Sequence, residues 1–305
     1  MSEIKNTDVV TIFGGTGFLG QYLINQLAKT GAKINAIHKN ILFTNKLALC
    51  GEPGQITCIQ STEEDKFIAK IIKSSTHVVN LVGILNESKN CTFIDIHKKL
   101  PEKIARYCAQ YKIKKLVHIS ALAIDKITTS EYARTKLLGE KCVLREFPKA
   151  IIIRPSIIFG AEDKFINFFA KIINYSYLTP LIGGGSTKLQ PIYVGDVATI
   201  INYCLKSNRS DLLGKVLEIG GPEVLTLKKI IQIILKTRKS KRVLLKVPYS
   251  LAKLLILPLQ LLPNPQFTAN QIELLKYDNI VKKENFINKV LKNPSILESK
   301  IKQYL

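Results

Sequence analysis

Tyr132 and Lys136 stand four residues apart in Tyr132-Ala133-Arg134-Thr135-Lys136. On a helix that spacing sets a phenol and an ammonium one turn apart on the same face. A free tyrosine titrates near a pKa of about 10 and is a poor acid or base at neutrality. A fixed ammonium, together with positive charge on a bound ligand, favours the phenolate and brings the group towards a working range. Ser120, twelve residues before the tyrosine, could hydrogen-bond the same substrate oxygen. By itself a Tyr-x-x-x-Lys face is commonly a surface pair, so its chemistry depends on what else the chain supplies.

The chain supplies a glycine at every third position near its start. Gly14-Gly15-Thr16-Gly17-Phe18-Leu19-Gly20 lies between the apolar run Val9-Val10-Thr11-Ile12-Phe13 and the helix-like stretch Tyr22-Leu23-Ile24-Asn25-Gln26-Leu27. Gly14 permits a tight turn off the strand, Gly17 lets the backbone approach a pyrophosphate, and Gly20 lets the helix pack close to the sheet. The phosphates of a dinucleotide would then meet free amides and the positive end of the helix dipole. About twenty residues on, where a carboxylate would hold the ribose 2′-hydroxyl of NAD, the chain reads Ile37-His38-Lys39-Asn40. A cation there suits a 2′-phosphate, which favours NADP(H) over NAD(H), although Lys39 is also one of many lysines that could simply face solvent.

These residues need a frame. Apolar runs at 8–13, 33–37, 56–59, 77–82, 115–120 and 149–154 read as strands, and helix-period segments fall between them at about 17–30, 63–74, 92–111 and 130–146. Pro101 argues for a kink or a late start in the third helix. After Pro155 the rhythm loosens into a helix at 163–175, a turn at Gly183-Gly184-Gly185-Ser186, a helix from Asp196 to Lys206 and a strand at 216–219. The expected fold is α/β: a Rossmann-like doubly wound parallel sheet with a small, mainly helical C-terminal lobe. Its division is residues 1–247, with an insertion at about 161–195, and a lobe of 248–305. Ligands of such a sheet bind beyond the carboxyl ends of the strands, here Phe13-Gly14, Ile37-His38, Gln60-Ser61, Val82-Gly83, Ser120 and Arg154-Pro155.

Hydrophobic content of 46% against 22% charged residues in a chain of 305 excludes a disordered protein. A net charge of +22 invites a nucleic-acid partner, but only seven of the 45 cations are arginine and the lysines are scattered, so none is expected. Peripheral attraction to anionic lipid stays open. The six cysteines show no paired spacing and the four histidines lie far apart, which indicates neither a metal site nor a disulfide framework. With no basic, apolar leader and no uninterrupted apolar run of about 18 residues, the expected location is cytoplasmic, with peripheral contact at the inner face of the plasma membrane as an extension. The segment 251–262, broken by Lys253 and Pro258, is read as a core or lobe helix, with an interfacial membrane helix as the alternative.

Together these pieces resemble the short-chain dehydrogenase/reductase superfamily. The resemblance narrows to atypical, extended members related to the nucleotide-binding accessory subunit of respiratory complex I (NADH:ubiquinone oxidoreductase) and their bacterial counterparts. It is carried by Asn80-Leu81-Val82-Gly83, His118-Ile119-Ser120, Tyr132 to Lys136, Arg154-Pro155-Ser156-Ile157, Pro180 to Gly185, Gln190 to Ala198, Gly220-Gly221-Pro222-Glu223 and Asn270 to Asn279. It implies Tyr132, Lys136 and Ser120 as catalytic residues, Asn80, Leu81, Val82 and Gly83 along the adenosine side of the cofactor, and Arg154, Pro155, Ser156 and Ile157 near the nicotinamide. The second strand ends in His38-Lys39 where an arginine is expected, and residues 283–305 match no pattern. Asp196 is read as a helix N-cap rather than a catalytic acid.

Two classes of function follow. One is an enzyme that reduces a carbonyl with Tyr132 as proton donor. The other is a cofactor-bound structural or assembly protein that works with respiratory-chain or quinone-biosynthesis partners. A sugar-nucleotide epimerase or dehydratase is a third, since fold alone does not fix function. Leu251, Leu254, Leu255, Ile256, Leu257 and Leu261 would suit a quinone or lipid-like substrate, or equally core packing.

Overall fold

Val9-Val10-Thr11-Ile12-Phe13 is almost uniformly apolar because its strand is covered on both faces, as parallel strands are. It becomes β1 (Val9–Phe13) in a computed structural model that describes residues 4–39, 47, 49–62, 64–88, 91–257 and 268–305. From β1 the chain runs through α1 (Phe18–Ala28), β2 (Lys33–His38), β3 (Ile56–Gln60), α2 (Asp65–Lys73) and β4 (His77–Asn80). A π-helical turn (Ile94–Lys99) leads into α3 (Leu100–Gln110), followed by β5 (Lys115–Ile119), α4 (Glu131–Glu146) and β6 (Ile151–Pro155). Then come β7 (Ile158–Phe159), α5 (Phe165–Tyr175), β8 (Leu178–Ile182), β9 (Lys188–Leu189), β10 (Ile192–Tyr193), α6 (Val194–Lys206) and β11 (Val216–Ile219). The remainder is β12 (Leu225–Thr226), α7 (Leu227–Thr237), β13 (Val243–Val247), α8 (Tyr249–Ile256), α9 (Ala269–Leu274), α10 (Ile287–Val290) and α11 (Leu297–Ile301). Asn40 and residues 258–262, with Pro263 and Pro265, lie outside the described residues.

The chain divides into two units, the first made of Met1–Ser120, Thr135–Arg154 and Val194–Leu217. Its sheet has the order β11-β6-β5-β4-β1-β2-β3, and β1 to β6 pair in parallel. The chain steps outward from β1 to β3 and then returns to β4 on the other side of β1, so the strand order reverses between β1 and β4, where such sheets hold ligands. One face is filled by Phe13, Ile37, Ile68, Ile72, Val78, Ile104 and Leu116, all buried. Gln26 of α1 donates to the Gly195 carbonyl and to Thr199 of α6, both at 3.1 Å, and so ties these helices together.

Pro101 sits in the first turn of α3 and brings no N–H to the helix ladder there. The chain is already helical from Phe93, with αR backbone at Phe93, Lys99 and Leu100, so the helix does not start late: the six residues before α3 are wound as a π turn that runs directly into it. Asp196 is not the cap of its helix. The helix opens two residues earlier, at Val194, which places the buried Asp196 inside the first turn.

The second unit comprises Ala121–Arg134, Pro155–Tyr193 and Glu218–Leu305. Its core joins Phe159, Phe165, Phe169, Ile230, Ile234 and Ile301. It holds helices α8 to α11, as a helical lobe requires, and also a parallel strand pair in which β13 follows β8 from Val243↔Leu178 to Val247↔Ile182. That pairing joins segments about sixty residues apart, and local patterning carries no trace of it.

Candidate functional site

The glycine turn is built by close approaches that only hydrogen allows. Gly14 has φ +82°, in the left-handed region. A Cβ on Gly20 would lie 2.4 Å from the Gly15 carbonyl oxygen, so the first turn of α1 rests directly on the turn that precedes it. The Gly14 and Gly15 amides donate to the Ile37 carbonyl at 3.0 and 3.1 Å, and Gln21 donates to the Thr16 carbonyl at 3.1 Å, which fixes the loop against β2. Gly17 stands exposed at the N-cap of α1 and gives it no side-chain cap, while Phe18 and Leu19 begin the helix. The amides of the first turn and the positive dipole end are thus presented with nothing of the cap's own to neutralise them. A phosphate fits that arrangement.

The end of β2 separates two residues that the sequence places together. His38 is buried, and its Nδ1 has no hydrogen-bond partner among the described residues. Lys39 is exposed. Of the two, only Lys39 reaches the surface, and no carboxylate ends this strand.

At the end of β4, Asn80 is locked on both sides. Its Oδ1 accepts from the Val82 amide at 3.1 Å, which leaves Nδ2 to donate to His118 Nδ1, also at 3.1 Å. His118 is thereby defined as the tautomer protonated on Nε2, and that buried Nε2 finds no acceptor among the described residues. Burial, with Lys136 adding to it, lowers the His118 pKa to about 3, so the ring is neutral. Leu81 continues from β4 by donating to the Phe13 carbonyl at 2.9 Å. A Cβ on Gly83 would come within 3.2 Å of Lys136 Nζ, so the strand end passes close to that ammonium.

Lys136 is 4% exposed, donates to the Ile119 carbonyl at 3.2 Å, and has its pKa lowered to about 8 by burial, partly offset by Glu140. Ser120 is buried beside that carbonyl in the chain, and its Oγ also lacks a partner among the described residues. Tyr132, half-buried and one turn before Lys136 on α4, has its pKa pushed up to about 12 by burial. In the first unit the structure brings together the Gly14–Gly20 turn, the β2 and β4 ends, Ser120 and Lys136. Tyr132 and Pro155, Ser156 and Ile157 belong to the second unit. There Ser156 Oγ lies 2.6 Å from Asn279 Oδ1, and Asn279 donates in turn to the Leu122 carbonyl at 3.1 Å. Arg154 is engaged in a buried bidentate ion pair with Glu140, at 2.8 and 2.7 Å.

Sequence reasoning passes over His97, which the π turn delivers to Lys136's side of the first unit. Its Nε2 accepts from the Ile84 amide and its Nδ1 lies against Thr135 Oγ1, both at 3.2 Å. Burial foremost, then Lys136, lowers its pKa to about 2. His97 thus braces the segment after Gly83 against α4 as a neutral ring. Nothing in its local sequence marks it. The pairing of Asn80 with His118, by contrast, follows from the β4–β5 register, in which the two are direct neighbours.

A parallel sheet that reverses order beside a glycine turn and an uncapped helix defines a Rossmann-type nucleotide-binding protein. The chain belongs to the NAD dependent epimerase/dehydratase family, whose model matches residues 10–220. It is 34% identical over 285 residues, 90% of its own length and 71% of the relative's, to NADH dehydrogenase (ubiquinone) 1 alpha subcomplex subunit 9, mitochondrial, of Arabidopsis thaliana. With the Mus musculus protein of that name it shares 37% identity over 219 residues, 70% of this chain but only 57% of the mouse chain. Among solved structures, UDP-glucuronic acid 4-epimerase from Bacillus cereus in complex with NAD superposes with a TM-score of 0.73 at 18% identity, covering 97% of this chain and 98% of that one. Triphenylmethane reductase from Citrobacter sp. complexed with NADP(H) does so with a TM-score of 0.74 at 15% identity, covering 97% and 100%. These likenesses establish the fold.

Proposed function

We propose that this chain binds a nicotinamide dinucleotide, NADP(H) in preference to NAD(H), and serves respiratory complex I or ubiquinone metabolism while retaining the groups for carbonyl reduction. The observation that carries the reading is the Gly14–Gly20 cradle, with an uncapped helix end beside Gly15 and Gly20, which leave no room for a Cβ. Gly14, Gly15, Thr16 and Gly17, with the first turn Phe18, Leu19 and Gly20, hold the pyrophosphate. Exposed Lys39, next to buried His38, meets the 2′-phosphate. Asn80, Leu81, Val82 and Gly83 line the adenosine side, and the family pattern assigns Pro155, Ser156 and Ile157 to the nicotinamide side.

When bound, the reduced nicotinamide supplies a hydride equivalent. Tyr132 would give its proton to the carbonyl oxygen and Ser120 would hydrogen-bond that oxygen, while the Lys136 ammonium would hold the nicotinamide ribose and favour the phenolate left behind, against the burial that pushes the Tyr132 pKa up to about 12. The leucines of the 251–257 segment suit a quinone or lipid-like substrate. A second reading, a cofactor-bound subunit without turnover, is favoured by the Arabidopsis and mouse relatives, which are named as subunits of NADH dehydrogenase. A sugar-nucleotide substrate has only the fold in its favour.

Calorimetric titration with NADPH and NADH tests the proposal. NADPH should bind tighter, and Gly17→Asp should abolish binding of both, because a carboxylate would occupy and repel pyrophosphate space. Equal affinities would remove the NADP preference, and binding of neither would overturn the reading.

A further inference from the structure

We propose that the second unit carries a membrane-docking face, formed by the β8–β13 strand pair and the helix α8 that follows it, and suited to the surface of an anionic lipid bilayer. This goes beyond the cofactor reading and is independent of it.

Over its first three residues the strand pair shows an apolar face to solvent, before Val247 and Ile182 on the same face turn inward and are buried. In the parallel register Val243 lies beside Leu178 and Leu245 beside Pro180, so their side chains share a face, and Val243, Leu178 and Leu245 are 47%, 49% and 50% exposed. Thr179 and Leu181 on the opposite face are buried, which fixes the orientation of the pair. Tyr175 and Tyr177, just before β8, are exposed as well, and amphipathic tyrosines favour the headgroup level of a bilayer.

Helix α8 repeats the pattern. It buries Ala252 and Ile256, while Leu251, Leu254 and Leu255, at spacings of three and four, form an exposed leucine stripe. Soluble chains rarely leave apolar side chains grouped this way without a partner for them.

Charge selects the partner. From Val224 to Ile272 the sequence contains no Asp or Glu, yet it holds nine Lys and Arg. Lys239 and Lys241, in the turn that leads into β13, are exposed and make no ion pair among the described residues. Outward leucines and tyrosines among unneutralised lysines are what an anionic bilayer rewards, through apolar insertion and attraction to headgroups at once. A nucleic acid would use the cations and leave the aliphatic face in water.

The chain has no tryptophan, so single reporters can be read without background. Leu245→Trp and Leu254→Trp sit on the proposed face, and Leu49→Trp, at an exposed position of the first unit, serves as the control. On phosphatidylcholine vesicles containing cardiolipin, emission of the first two should shift to the blue and be quenched by brominated acyl chains, with the control unchanged. Pure phosphatidylcholine should give no shift. Lys239→Ala with Lys241→Ala should weaken partitioning about 25-fold, roughly fivefold per cation.

Equal shifts on neutral and anionic vesicles would overturn the electrostatic half. Flotation with both reporters unshifted would reduce the binding to unspecific attachment of lysines and overturn the face. A shift that grows with protein concentration without lipid would assign the face to a second copy of the chain, and one produced only by duplex DNA would assign it to nucleic acid.

Discussion

Replacing Lys136 by methionine should make the cofactor-free protein more stable at neutral pH and useless for its function. The ammonium is buried, and its pKa falls from an ordinary 10.5 to about 8. At roughly 1.4 kcal/mol per unit, holding the charged form inside the fold costs about 3 kcal/mol. Methionine fills a similar volume and forfeits one hydrogen bond, to the Ile119 carbonyl at 3.2 Å, worth about 1 kcal/mol. The balance is a gain of about 2 kcal/mol at pH 7, or roughly 4 °C in melting temperature for a chain of this size.

The pH dependence gives the sign a second test. Below the folded pKa of about 8, both folded and unfolded states carry the proton and the penalty is present in full. Between that value and 10.5 only the unfolded state carries it, so the wild-type chain gains stability as pH rises. The advantage of Lys136→Met should therefore shrink between pH 7 and pH 10. Thermal unfolding of both proteins across that range, with and without NADPH, measures it, and NADPH should raise the melting temperature of the wild type alone. A variant less stable at pH 7, or an advantage indifferent to pH, would refute the reasoning.

Tyr132→Phe should lower carbonyl reduction at least about 100-fold while leaving NADPH affinity within twofold, measured by steady-state kinetics and calorimetry. In a deletion strain, full rescue of respiration and quinone content by Tyr132→Phe, with failure of Gly17→Asp, would assign the biological role to the bound cofactor instead of turnover. Arg154→Met should destabilise the chain by about 3–5 kcal/mol in urea unfolding, because it strands Glu140 as a buried, unpaired carboxylate. The double change with Glu140→Met should recover most of that loss.

The parts of this chain that declare themselves in sequence are those governed by neighbours in the chain. Strands covered by the core need apolar runs, so β1 and β5 lie within a residue of where such runs stand, and the more exposed edge strands β3 and β11 are still marked by shorter apolar stretches. The glycine turn declares itself because each glycine answers a different steric demand. Three other features depend on distant partners and were hidden. β13 is a strand only because β8 offers it an edge, and the exposed Val243 and Leu245 blur the alternation that would have marked it. His97 enters the site because the helix is locally widened, which no residue of Ile94–Lys99 dictates alone. Asp196 resembles a cap, but the chain turns helical two residues sooner, at Val194.

The π turn also bears on how this chain can change. A Cβ on Gly139 would come within 1.8 Å of the His97 carbonyl oxygen, so the bulge presses its backbone onto α4 at the one position with no side chain. Removing any one residue between Ile94 and Lys99 would restore a regular helix, and everything on one side of the deletion would rotate by about 100° relative to the other. Either His97 would leave Ile84 and Thr135, or α3 would turn its buried Ile104 and Cys108 away from the sheet. Point substitutions can be absorbed here one side chain at a time, whereas the length of this segment is fixed to the codon.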